Sequence, residues 1–312
     1  MTGESLIRKL RQQALRLGFD ALGVSPAAEL SQDARYLERW LAAGRQGEMH
    51  YLDKHFDLRI DPRKLHPGTQ TVVSVLKNYY PPELPEQADG FRVAAYAYGQ
   101  DYHQVLKERL YALAADLSDW VGRSLSVRVC TDSAPILERR WAERAGLGWI
   151  GKNTLLLTRQ GGSWYFLGEL LVDLALPAEH PPQADHCGTC TRCLDACPTG
   201  ALSPYEMDAR KCISYHTIEL KAQVPVEFHR MLSGWAFGCD ICQEVCPWTR
   251  FAQPHTEPAF RLTELVAHYA EKDWQALSSS QYRKRTRTSP LSRIRREKLL
   301  ENIALAKASR SI

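Results

Sequence analysis

Eight of the nine cysteines fall between Cys187 and Cys246, at spacings that suit metal better than disulfides. Cys187, Cys190, Cys193 and Cys197 follow one another at x2, x2 and x3 intervals and close on Pro198. Cys239, Cys242 and Cys246 close on Pro247, with Cys212 standing upstream. Closely spaced thiolates ending in Cys-Pro are the bacterial two-cluster ferredoxin pattern, in which the fourth cysteine of a run serves the other cluster. Four-cysteine zinc sites also use Cys-x2-Cys pairs. Zinc gives no reason for three cysteines at successive x2 spacings or for the repeated Cys-Pro ending. The expected chemistry is therefore one-electron transfer through two [4Fe–4S] clusters.

Spacing also divides the ligands. An unmodified second run would carry a cysteine three residues before Cys239, where Ala236 stands. Cys130 and Cys212 are the remaining candidates. Cys130 ends the alternating segment 126–130, which reads as a strand, and suits a small buried hydrophobe. Cys212 lies between the two runs. Cys187, Cys190, Cys193 and Cys246 are assigned to one cluster, and Cys197, Cys212, Cys239 and Cys242 to the other.

The elements that must carry these groups read as a mixed α/β (α+β) chain. Helices are expected over 5–17, closed by Gly18, and over 33–43, 101–121 and 136–145. Strands are expected at 19–24, 71–76 and 127–130, with 154–158 and 163–176 forming a hairpin pair. A proline-rich loop holds Pro81, Pro82 and Pro85. The expected division is an α/β domain over 1–180, a two-cluster ferredoxin-like domain over 181–250, and a basic helical segment over 251–312. In that last segment Leu299, Leu300, Ile303 and Leu305 require a packing partner.

At 312 residues the chain exceeds a typical single core. A 44% hydrophobic and 24% charged composition is that of an ordinary globular protein. No apolar run approaches the ~20 residues of a membrane span. The start shows neither a twin-arginine motif nor an apolar signal core, so a cytoplasmic location is expected. The net charge of +4 conceals a concentrated basic run: Arg283, Lys284, Arg285, Arg287, Arg293, Arg295, Arg296 and Lys298, against Glu297 alone. Such a run is either a solvated face or a phosphate-binding surface. There is no Gly-x-Gly-x-x-Gly and no Walker loop. Asp101-Tyr102-His103 resembles the start of a cobalamin Asp-x-His-x-x-Gly motif, but Leu106 occupies the glycine position. His103 is read as lining a pocket or as structural, not as a cobalt ligand.

Beyond the cysteines, several segments carry a more specific likeness. They are Gly99-Gln100-Asp101-Tyr102-His103, Asp132 with Ala142-Glu143-Arg144-Ala145-Gly146-Leu147-Gly148, Gly151-Lys152-Asn153-Thr154, Arg210-Lys211-Cys212-Ile213-Ser214 and Gly238-Cys239-Asp240. On these the chain resembles the epoxyqueuosine reductase family over nearly its whole length. Members of that family often continue into a C-terminal HEAT-like repeat, and this chain ends at Ile312, near where the repeat would begin.

The resemblance implies reduction of an epoxide on the wobble base of a tRNA anticodon to the cyclopentene of queuosine. It also implies cobalamin, which the clusters would feed toward Co(I). An opening epoxide needs a general acid, and the resemblance assigns Asp132. A free carboxylate is ionised at neutral pH, so a raised Asp132 pKa is expected; apart from the family, Asp132 reads as a helix cap. Cobalamin contacts carried over are Arg59, Leu156, Leu167, Ser214, Cys239 and Asp240, and the two leucines also read as sheet core. For tRNA, the likeness favours the phosphate-binding reading of residues 283–298 and adds Lys221. A low-potential electron donor and a monomer are expected. Reductive dehalogenases share this cofactor set, but usually with an export signal. A ferredoxin-type electron-transfer module, and an RNA-binding protein with structural clusters, are the remaining alternatives.

Overall fold

The computed structural model describes residues 2–84, 90–178 and 180–310; Pro85 and Ile312 lie outside the described residues. Helix α1 (Gly3–Arg16) places Leu6, Leu10 and Ala14 on one face. Thr2 caps it by accepting from the Ser5 N–H, and Gly18 leaves it at φ +85°. Strand β1 (Ala21–Pro26), helix α2 (Ser31–Ala42) and strand β2 (Thr71–Asn78) follow. The long helix α3 (Tyr102–Val121) is capped by Asp101 and ends at Gly122, φ +73°. Strand β3 (Val127–Cys130), helix α4 (Glu138–Arg144) and strand β4 (Tyr165–Val172) complete the N-terminal framework.

The four strands form one sheet in the order β1-β2-β4-β3, with every neighbour antiparallel. This makes the chain α+β in the strict sense. Side chains alternate across the sheet. Val73, Val75, Leu170 and Val172 face α1 and α3, against Ile7, Leu10, Leu106 and Leu110. Val72, Leu171 and Cys130 face the other way, toward Ile60, Leu65 and Trp141 of the helical segments covering that side. The expected 154–158/163–176 hairpin is corrected: Leu156–Leu157 pairs with Trp149–Ile150, while β4 inserts between β2 and β3. An isolated bridge joins Thr158 to Gly162, just ahead of β4. A two-residue strand cannot bury enough to hold a place in the main sheet.

The first core continues into the C-terminal residues through Phe260, Trp274, Leu291, Leu299 and Ile303. Helices α5 (Ser279–Thr286) and α6 (Arg296–Ala308) belong to this part. The packing partner required by α6 is the strand Trp235–Phe237 and the turn Val226–Leu232. Among the described residues no helix is long and apolar enough to cross a membrane.

Candidate active site

Cys130 ends β3 with its side chain fully buried in the sheet, away from the other thiols. Beyond it the chain turns sharply: Ser133 N–H donates to Thr131 O at 2.6 Å, and Asp132 at the apex has φ +52°. A three-residue turn in this left-handed sense is rare and strained for a residue with a Cβ. Asp132 caps no helix, since α4 begins at Glu138 behind Leu137.

Three donors converge on Asp132 Oδ2: Tyr102 Oη at 2.8 Å, Arg293 at 2.9 Å and His103 Nε2 at 3.1 Å. The other imidazole nitrogen of His103 lies 2.6 Å from Asp101 Oδ1. With a carboxylate at each ring nitrogen, both nitrogens carry protons. Burial alone would lower the His103 pKa, but Asp101 and Asp132 outweigh it and push it up to about 9. Burial would raise Asp132, but His103, Arg293 and Tyr102 together hold its carboxyl well below the usual range. The raised Asp132 pKa expected from the sequence is therefore corrected. In this arrangement Asp132 is ionised, and the proton lies on the imidazolium bonded to it.

From this group a short path leads to the thiols. The Tyr102 ring packs edge-on against Tyr96, centroids 6.2 Å apart. Next to Tyr96, the Ala95 N–H donates to Asp240 Oδ2 at 2.7 Å. Asp240 is buried beside Cys239, and burial pushes its carboxyl up to about 7. Ser214 stands two residues after Cys212 and opens the π-helical stretch Tyr215–Glu219, whose Thr217 Oγ1 accepts from Gly238 N at 3.0 Å. Arg59 is buried, with one bond to Tyr51 O at 3.2 Å and an unpartnered Nε. The Leu156 side chain fills a small core with Leu76 and Ala142, and Leu167 packs beside them. Leu156 is left with main-chain atoms to offer a ligand, while half-buried Leu167 can also offer an apolar contact.

The thiols fall into two neighbourhoods, with Cys242 also within electrostatic reach of Cys193. Cys187, Cys190, Cys193 and Cys246 line one cavity of about 230 Å³, walled by Trp248 and Lys152. Cys197, Cys212 and Cys239 lie within electrostatic reach of one another, as do Cys212, Cys239 and Cys242. The Gly151-Lys152-Asn153 segment ties these loops to the N-terminal framework. Lys152 Nζ donates to Gly188 O at 2.6 Å and Cys190 O at 3.0 Å, and Asn153 donates to Cys242 O at 3.4 Å.

The basic run does not act as a unit. Arg283, Lys284, Arg285, Arg287 and Arg295 are exposed, as is Lys221. Arg285 also lies against the Tyr269 ring. Arg293 is exposed too and is paired with Asp132. Arg296 donates to Gln275 O at 2.6 Å, and Lys298 Nζ to Ala222 O at 3.1 Å, with Glu301 at 3.6 Å. Six of the eight cations, Arg293 among them, are exposed, and Arg296 and Lys298 are half-buried against partners in the fold. His103, Tyr102 and Arg293 as partners of Asp132 were missed. The first two stand in the segment Gly99–His103, but Arg293 comes from 161 residues away.

Comparison with known proteins gives this arrangement a lineage. The family model described as "Epoxyqueuosine reductase QueG, DUF1730" matches residues 59–133, and "4Fe-4S double cluster binding domain" matches residues 186–249. An epoxyqueuosine reductase of Cellulophaga algicola is 46% identical over 300 residues, covering 96% of this chain and 97% of that relative. The chain belongs to the epoxyqueuosine reductase family. The Escherichia coli member is 42% identical over 96% of this chain and 80% of its own length. Among solved structures, an epoxyqueuosine reductase with an epoxyqueuosine-modified tRNA-Tyr stem loop aligns over 99% of this chain and 82% of its own, with TM-score 0.89 and 27% identity. A Bacillus subtilis epoxyqueuosine reductase, described with its catalytic aspartate loop swung out of the active site, aligns over the same shares with TM-score 0.87 and 28% identity.

Proposed function

We propose that this protein reduces epoxyqueuosine to queuosine in tRNA, with Asp132 as the residue that passes protons to the departing oxygen. Membership of the family and the convergence of Tyr102, His103 and Arg293 on Asp132 carry the reading. The overall change breaks both C–O bonds of the epoxide and forms a C=C bond. It consumes two electrons and two protons and releases water. Both protons end on one oxygen, so the acid must be recharged between them. The imidazolium passes the first proton through Asp132 to the oxygen, and the neutral imidazole left behind takes up the second from water before it is delivered the same way. Arg293 stabilises negative charge developing on the oxygen.

The two thiol groups suit two [4Fe–4S] clusters in donor chemistry and in number. The cofactor proposed to lie between Asp132 and the second thiol group is cobalamin. The residues present fit it, because Arg59 offers a buried cation with a free N–H to an anionic or amide-bearing ligand. Asp240 and Ser214 would hold it near Cys239, and main-chain atoms of Leu156 and Leu167 would border it. When bound, it supplies a centre able to pass on two electrons gathered one at a time. The exposed Arg283, Lys284, Arg285, Arg287, Arg295 and Lys221 would hold tRNA phosphates.

The test is turnover of epoxyqueuosine-containing tRNA by anaerobically purified protein with cobalamin and a chemical reductant, read by nucleoside mass spectrometry. Queuosine formation by the wild type, lost in Asp132→Ala with iron and cobalt content retained, is the expected result. Iron without bound cobalt would remove cobalamin from the reading. Wild-type-like rates in the variant would remove Asp132 as the acid.

A further inference from the structure

Glu169 stands in the middle of β4, opposite Ser74 of β2 on one side and Cys130 of β3 on the other. It is fully buried on the sheet face covered by α4, and neither carboxyl oxygen is matched with a donor. The group it meets is another carboxyl, that of Glu138 at the start of α4. Two ionised carboxylates in contact away from water repel strongly, so the pair must hold at least one proton. Burial pushes both acids up, Glu169 well above the usual range. Glu138 in turn accepts a hydrogen bond from the main-chain N–H of Asp132. Two acids held against each other out of water are costly to keep, and this pair is bonded to the strained turn that carries Asp132.

Resting on the function proposed above, we infer that Glu138 and Glu169 are positioning residues for Asp132. Glu138 holds the Asp132 main chain in its left-handed turn, and Glu169 keeps Glu138 in place by sharing a proton with it. The turn costs about 1–3 kcal/mol for a residue with a Cβ, and the Glu138 acceptor offsets part of that strain. Glu138 is faced by Asp132 and Cys130 from the end of β3, His103 from α3, Glu169 from β4, Arg139 from its own helix and Arg59. Ionising Glu138 sets a second negative charge beside the Asp132 carboxylate and loosens the turn. Activity then falls on the alkaline side before His103 loses its own proton near 9.

The experiment uses the full chain with its clusters. Infrared spectra are expected to show a protonated-carboxyl C=O band at neutral pH that is lost in Glu169→Gln. In single-turnover assays Glu138→Ala is expected to lose about 10²-fold in rate, the scale of a misplaced catalytic group, with tRNA affinity unchanged. Glu138→Gln keeps an acceptor oxygen and is expected to recover most of that loss, with its alkaline limb moved to higher pH. A Gln variant as slow as Ala, an unmoved alkaline limb, or no protonated-carboxyl band would overturn the inference. A wild type that binds tRNA without turning it over defeats the functional reading instead, and the infrared band still decides whether the pair exists.

Discussion

His103 shows how a single side chain can be both catalytic group and structural brace. Its imidazolium bridges Asp101 and Asp132, and so ties the start of α3 to the turn after β3. Its pKa rises from 6.5 to about 9 on folding. A raised basic group contributes stability that is fully present below its unfolded value and is lost as pH climbs through the folded one. At about 1.4 kcal/mol per pH unit, the shift corresponds to about 3 kcal/mol; the His103 side chain is only 15% exposed, so solvent screening removes little of it. Wild-type protein is therefore expected to lose melting temperature relative to His103→Gln between pH 6.5 and 9, with the gap closing above pH 9. Parallel melting curves across that range would show that the bridge carries no net energy. The sequence displayed Asp132 and His103 separately but could not show them joined, because the protonation of each depends on the other. Glu169 was hidden more deeply. In Tyr165–Val172 it reads as a strand position open to water, and only α4 lying over that face makes it buried.

At the scale of elements, the site depends on how closely α4 lies on the sheet. Gly23 of β1 is where the two meet: an added Cβ would run into the Ala145 carbonyl and come within 2.9 Å of the Ala145 methyl. Neither atom is the free end of a flexible side chain, so a larger residue must push the C-terminal end of α4 off the strand. Gly23→Ala is thus expected to cost about 1–3 kcal/mol, as overpacking does, and to slow turnover by shifting Glu138 at the other end of the helix. Unfolding midpoints and single-turnover rates would check both effects; a stable, fully active variant would mean that α4 accommodates the methyl without tilting. Helices and strands of the sheet were largely legible from periodicity, down to the bounds of Val127–Cys130. The partner of Leu156–Leu157 was not. Nearness in sequence favoured the following strand, and the turn at Gly151–Leu155 instead returns the chain to Trp149–Ile150.

At the scale of the whole molecule, function requires a large anionic substrate to meet a buried redox centre, and the C-terminal segment serves both ends. The double-cluster cysteine pattern was legible because spacing is a local property of the chain. The division of the C-terminal cations was not, since a run of arginines looks alike whether or not each finds a partner in the fold. Arg283, Lys284, Arg287 and Arg295 are exposed without a carboxylate partner among the described ion pairs, while Arg293, also exposed, reaches Asp132 at 2.9 Å. These two classes are expected to separate experimentally. Each phosphate contact removed lowers the slope of log affinity against log salt by about 0.7–0.9. Replacing Arg283, Lys284 and Arg287 together with Gln is therefore expected to flatten the salt dependence of tRNA binding by about two units, with the rate at saturating tRNA reduced far less than the affinity. Arg293→Gln is expected to do the reverse, keeping the salt slope and losing turnover, because it removes a charge from the reacting oxygen's surroundings rather than from a phosphate contact. If Arg293→Gln instead flattens the slope by about one unit while turnover at saturation survives, then Arg293 leaves Asp132 for an RNA phosphate when substrate docks.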